Sequence, residues 1–242
     1  MPKKLKDKLV KPSVETARRI LNLFFLPDGS TSMEGLKIAT LNQAFRENVN
    51  ELKAEAGQHP DVDYFLRCIA FASKAWWHIG PEPMPLEKAS WKDLTADGLT
   101  TTGDAIQMLA NEVSVSKMPK RGLSPVMVLL SDGANTDGSA YDDAIAALDK
   151  EPWGNRAIRL AIGIGSNYDK KQLEKFSNQP DVGVLEAKNA VDLANYIRYA
   201  TVTAVKAASR NSSNTGELKS NVALPPLPAP ATKSQNPNLK VF

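Results

Sequence analysis

Cysteine is almost missing from these 242 residues: Cys68 stands alone, which excludes an internal disulfide and a thiolate-based zinc cluster. It sits in the apolar run FLRCIAF, where a small thiol behaves as an inert core residue. Histidine is nearly as scarce. His59 and His78 are the two present, and neither belongs to a ligand or nucleophile–base motif. No apolar stretch approaches the roughly 20 residues of a membrane-spanning helix. The basic start followed by ILNLFFL has one feature of a secretory signal, but the run is short, is interrupted by Asn22, and no small-residue cleavage site follows. The expected location is cytoplasmic, with no membrane partner. No Gly-x-x-x-x-Gly-Lys-Ser/Thr run is present, and the Gly163-x-Gly165 pair has Tyr168 where a dinucleotide loop needs its third glycine. Charge of one sign is lacking too. The net charge of +3 places +5 on residues 1–19 and +3 on residues 210–242, leaving −5 on the body between them. A mildly acidic body with basic ends does not form the basic face that nucleic acid requires.

What the chain does contain is an alternation of apolar and amphipathic segments. Residues 20–26, 125–130, 157–164 and 182–186 read as buried strands. Residues 35–56, 102–115, 141–150, 170–176 and 190–208 carry a helical period. Residues 64–71 and 74–79 read as two strands with no room for a crossover between them, hence an antiparallel pair at one edge. Of their aromatic residues, Trp76 and Trp77 should face opposite sides, one inward and one exposed. Prolines 81, 83 and 85 mark the start of a loop. The pattern predicts an α/β fold, a mostly parallel central sheet with one antiparallel edge strand and helices on both faces. Three regions follow: a basic extension over 1–17, one domain over 18–209, and a disordered Pro/Ser/Asn-rich tail over 210–242 that is dispensable for folding.

Three segments are placed to bring oxygen atoms to the carboxyl edge of such a sheet, where open α/β folds bind ligands. The first is Asp28-Gly29-Ser30-Thr31-Ser32, directly after the first strand. The second is the glycine-flanked stretch Gly98-Leu99-Thr100-Thr101-Thr102-Gly103. The third is Asp132-Gly133, after PVMVLLS. A lone Asp-x-Ser-x-Ser is far more often an Asx turn or a helix N-cap, and Asp-Gly after a strand is commoner still. Together they offer two carboxylates and several hydroxyls without thiolate or imidazole, a set suited to a hard cation such as Mg²⁺ or Mn²⁺. Asp104 reads as a first-turn carboxylate favoured by the helix dipole, and Asp137 as a turn residue.

In this order and context the three segments resemble the metal-ion-dependent adhesion site (MIDAS) of the von Willebrand factor A (vWA) family. Asp28, Ser30, Ser32, Thr100 and Asp132 match the family pattern position by position. Gly29 and Thr31 stand where Thr and Gly are usual, and Leu99 replaces a common glycine. AIGIGSN at 161–167 and the final helix extend the resemblance over about residues 18 to 208. The resemblance implies a Rossmann-like vWA fold and a divalent ion, Mg²⁺ or Mn²⁺, held by those five residues. It also implies a non-enzymatic scaffold function, in which the ion captures an Asp or Glu carboxylate of a partner protein. Among vWA proteins, the bacterial tellurite-resistance TerY-like group is similar in size and pattern, which implies a stress-response or defence system. Two alternatives stay open: a metal-dependent phosphoester hydrolase, for which only Asp104 or Asp137 could serve as base, and an accessory subunit of an AAA+ machine.

Overall fold

The computed structural model describes residues 18–120, 122–203, 206, 224, 226–231 and 240–242. The extension expected over 1–17 lies outside these residues. Six strands form one sheet: β1 (Arg19–Pro27), β2 (Val62–Phe71), β3 (Ala75–Pro85), β4 (Val126–Ser131), β5 (Ile158–Ile164) and β6 (Val184–Ala187). Their order is β3-β2-β1-β4-β5-β6. All neighbours are parallel except β2 and β3. The helices are α1 (Leu36–Ala56), α2 (Thr102–Glu112), α3 (Ala140–Lys150), α4 (Pro152–Asn155), α5 (Lys170–Phe176) and α6 (Ala190–Arg198).

The alternation of β1 explains the two layers. Leu21, Leu23 and Phe25 point into one apolar cluster with Leu41, Phe45 and Leu52 of α1 and Leu193 and Ile197 of α6. Phe24 and Leu26 point into the other, with Ile106 and Leu109 of α2 and Tyr141 and Leu148 of α3. A strand buried on both faces has to be apolar at successive positions, as β1 and β4 are. Asn22 is the exception in β1. It is buried, and its Oδ1 accepts from Arg67 Nη2 at 3.2 Å. Arg67 also pairs with Glu112 at 3.2 Å and lies over the Phe24 ring.

Three elements depart from expectation. β3 runs on through its three prolines, with Phe65 opposite Pro85 and Leu66 opposite Met84. It is the edge strand, where a residue without an N–H forfeits no ladder bond on the open side. The last helix changes at Tyr199 into a π-helical turn, Tyr199–Thr203, and residues 204, 205, 207 and 208 of the expected helix lie outside the described residues. The short α4 carries Pro152 in its first turn and has no period long enough to show in sequence.

Of the tail expected over 210–242, Leu224, Ala231, Val241 and Phe242 touch the domain. Leu224 and Phe242 pack against the first apolar cluster. The Ala231 N–H donates to Asp192 Oδ1 at 2.8 Å, Val241 bridges Asn189, and the Phe242 N–H donates to the Lys188 carbonyl at 3.0 Å.

Candidate metal centre

β1 and β4 lie side by side at the centre of the sheet, so the loops that follow them open next to each other. The Asp28 N–H donates to the Leu130 carbonyl at 2.9 Å, which fixes the level of the first loop against the second. Asp28 is fully buried, not the exposed loop carboxylate that its turn setting suggests. Its Oδ1 accepts the Ser30 N–H at 2.8 Å and its Oδ2 accepts the Ser131 hydroxyl at 2.6 Å. Burial pushes its carboxyl above the ordinary range. The hydrogen bonds from Ser131 and Ser30 pull it back, and the neighbouring Asp132 adds to the rise.

Asp132 is 1% exposed. Its Oδ1 accepts the Ser32 hydroxyl at 2.5 Å, and the Ser32 and Ser30 hydroxyl oxygens are 2.9 Å apart. Lys37 Nζ lies 2.5 Å from Asp132 Oδ2 and donates to the Ser32 carbonyl at 3.2 Å. Gly133 marks the inside of the cradle. A Cβ placed there would lie 3.7 Å from Ser32 Oγ and 3.8 Å from Thr100 Oγ1.

Thr100 arrives from the far side of the sheet edge on a tightly held loop. Gly98 has φ +85°, and a Cβ there would stand 2.3 Å from Ser73 Oγ, so both conformation and space demand glycine. The Leu99 N–H donates to that same Ser73 Oγ at 3.0 Å and the Thr101 N–H to the Ala72 carbonyl at 2.9 Å. Thr31 N–H to Gly98 carbonyl, 3.0 Å, and Asp97 N–H to Gly29 carbonyl, 2.8 Å, tie this loop to the first. Asn42 of α1 holds the preceding chain: it donates to the Leu94 carbonyl and accepts from the Leu94 N–H and Trp91 Nε1. On the other side the Thr136 N–H donates to the Thr100 carbonyl at 2.8 Å. Asp137 Oδ2 accepts the Gly103 N–H at 2.6 Å. Asp137 therefore caps α2 from across the helix pair, and Asp104 stays exposed in the first turn.

The structure thus brings all five expected residues to one place, and adds two that the sequence pattern left out. Ser131 read as the end of a strand, and nothing in the sequence singled out its hydroxyl. Lys37 did leave a signal. It occupies the first turn of a helix without acidic residues there, where the dipole disfavours a cation, so its charge has to be answered from elsewhere.

The donor set fits a hard divalent cation. Among the described residues no three or more His, Cys, Asp or Glu side chains cluster to hold a metal, so an ion here would depend on hydroxyls beside Asp28 and Asp132. That combination of few carboxylates and several neutral oxygens suits an ion that keeps part of its hydration. The rim is apolar. Leu99 is 61% exposed, Leu36 44% and Trp76 37%, and Trp76 Cη2 lies 3.5 Å from the Cβ position of Gly29. Trp77, its neighbour, packs partly buried against the second apolar cluster.

No helix among the described residues is long and apolar enough to cross a membrane. The chain is similar in fold to several solved structures. Proximal thread matrix protein 1 from the mussel byssus, with a zinc-occupied MIDAS motif, is 17% identical with a TM-score of 0.55, covering 77% of this chain and 46% of that one. A von Willebrand factor type A protein from Catenulispora acidiphila is 18% identical with a TM-score of 0.57, covering 78% and 43%. The pilus adhesin SpaC from Lactobacillus rhamnosus GG is 13% identical with a TM-score of 0.61, covering 80% and 31%. The chain thus spans less than half the length of each. The model of the von Willebrand factor type A domain matches residues 22–198, from inside β1 to the end of α6, and the chain belongs to that family.

Proposed function

We propose that this protein is a non-enzymatic binding module that captures a carboxylate of a partner protein through a divalent cation at Asp28, Ser30, Ser32, Thr100 and Asp132. The observation that carries this is the Asp28–Asp132 pair, both buried at the carboxyl edge of the sheet and flanked by hydroxyls. Bound there, Mg²⁺ or Mn²⁺ would supply an electrophilic contact for an acidic side chain. The protein's own part is to hold the oxygens in place: Ser131 and the Ser30 N–H orient Asp28, Ser32 orients Asp132, and Thr136 fixes Thr100. The apolar rim of Leu36, Trp76 and Leu99 supports a partner whose acidic residue is flanked by apolar ones, since a large exposed aromatic beside a polar anchor is a favourable contact.

A hydrolase needs a base or nucleophile free to reach its substrate. Of the two acids considered, Asp137 has one carboxylate oxygen engaged with the Gly103 N–H, which disfavours it as a base, and Asp104, exposed on α2, keeps hydrolysis as the alternative reading. The TerY-like resemblance supports a role in a bacterial stress or defence system, and the neighbouring genes distinguish that from an AAA+ accessory role.

The test is calorimetric titration of wild type and Thr100→Ala with Mg²⁺ and Mn²⁺. It is followed by affinity measurement for a partner identified by pull-down, in Mg²⁺ and in EDTA. The ion should raise partner affinity, and the partner should raise ion affinity by the same factor. Equal partner affinity in both conditions would overturn the reading. Hydrolysis of a generic phosphoester, abolished by Asp28→Ala, would favour the enzyme instead.

A further inference from the structure

The geometry points to Lys37 as a tethered cation that competes with the metal ion for Asp132 and thereby sets the affinity of the site for divalent cations. The inference rests on the metal-site reading above and adds to it a residue that has no place among the five expected ligands.

Asp132 divides its two oxygens between two donors, the neutral Ser32 hydroxyl on Oδ1 and the Lys37 ammonium on Oδ2. The Asp132 side chain is fully buried and that of Lys37 is 21% exposed. A carboxylate so placed requires a cation or a full set of donors to stay charged. Lys37 meets that need from the second position of α1, where the helix dipole opposes it, so its engagement with Asp132 also relieves a local cost.

Its stem is confined. A Cβ on Gly165 would lie 3.6 Å from Lys37 Cε, 3.7 Å from Nζ and 3.8 Å from Phe242 Cβ. Gly165 of the β5–α5 loop thus passes beside the end of the Lys37 side chain, where a larger residue would come into contact with it.

A divalent ion drawn to Asp132 meets this ammonium. The two positive charges repel at short range, so the ion binds fully only as Lys37 yields Oδ2 and turns toward solvent. Affinity is then scaled down to the fraction of molecules in which the ammonium has let go, so that an engaged fraction of about nine in ten leaves one in ten competent and corresponds to roughly a tenfold loss. The same exchange keeps the fold independent of the ion, because Asp132 has a counter-charge in either state.

The experiment uses the full chain as wild type, Lys37→Met, Lys37→Arg and Asp132→Asn, titrated calorimetrically with MgCl₂ and MnCl₂ and melted in EDTA and in excess Mg²⁺. Lys37→Met should bind either ion about tenfold more tightly than wild type. It should also melt lower than wild type in EDTA and regain that loss in Mg²⁺. Lys37→Arg keeps the charge and should stay near wild type in affinity, which separates charge from packing. Equal or weaker ion binding by Lys37→Met, with wild type binding normally, would overturn the role of Lys37 and leave the metal site intact. Absence of binding by wild type and every variant would overturn both. Should Lys37→Met fail to fold in EDTA, its recovery in Mg²⁺ and the Lys37→Arg titration still decide the matter.

Discussion

Replacing Asp28 separates its role in the fold from its role toward an ion. In Asp28→Asn the amide Oδ1 still accepts the Ser30 N–H, 2.8 Å away. The amide Nδ2 donates to Ser131 Oγ, 2.6 Å away, and the Ser131 hydroxyl proton turns to the Gly133 carbonyl at 3.3 Å. No buried group loses its partner, and the buried negative charge is gone. Burial raises the Asp28 carboxyl above its ordinary value, so its ionised form costs folding stability at neutral pH. Asp28→Asn in EDTA should therefore melt at or above the wild-type temperature. Asp28→Ala strands the Ser30 N–H, worth about 1–3 kcal/mol when left unmade, while the Ser131 hydroxyl keeps the Gly133 carbonyl as acceptor. With the relieved charge as a partial offset, the net cost is about 1–2 kcal/mol. For a domain of this size that lowers Tm by about 2–8 °C. Ion binding should fall alike in both variants, by roughly 100-fold or more, since even a residue one shell away from a metal costs about 10–100-fold. Thermal melts in EDTA and excess Mg²⁺, with calorimetric titration, read all of this. An Asn variant with the wild-type Mg²⁺ response would show that Asp28 holds no ion. An Asn variant as unstable as the Ala variant would refute the exchange of hydrogen bonds.

Three further outcomes are expected. Glu112→Ala should cost ~3 kcal/mol in urea melts, because it leaves the Arg67 guanidinium, 4% exposed, without its ion-pair partner and with only the more distant Glu82 charge, whereas Arg67→Met should stay within about 1 kcal/mol of wild type as relieved desolvation offsets the partner lost by Asn22. Burial holds the His78 imidazole below its ordinary 6.5, with the Lys92 carbonyl 2.8 Å away opposing the shift and the Lys92 charge adding to it. A depressed folded value means that stability present above 6.5 is lost as the pH falls through the folded value, so Tm should decline on acidification and His78→Gln should flatten that decline. A chain ending at Ser209 should melt several degrees lower, since Leu224 and Phe242 pack against the core; an unchanged Tm would show those contacts to be idle.

The sheet was legible because buried strands and amphipathic helices differ in period, and the short interval between residues 71 and 74 left no way to join β2 and β3 except as an antiparallel pair. The site was legible as three short patterns on consecutive edges of that sheet. What stayed hidden depends on contacts between segments far apart in the chain. Ser131 matters through Asp28, 103 positions away, and Lys37 through Asp132, 95 positions away. Asp137 looked like a turn residue, and its capping of α2 appears only when that helix is laid beside α3. The prolines of β3 marked a break by local rule, and only its place at the sheet edge makes them tolerable.

The position of β1 and β4 in the strand order has a mechanical meaning. Asp28 follows β1 and Asp132 follows β4, the two middle strands of the six. Tension applied through a partner's carboxylate would pull both along their own axes and in the same direction, so the ladder between them would not be sheared. The load would pass sideways into β2 and β5, each joined along its length by parallel hydrogen bonds, and breaking it there requires many bonds to fail together. A ligand held at an outer strand would instead peel the sheet one bond at a time. If an ion is held there as proposed, the grip at the ion would give way before the sheet does.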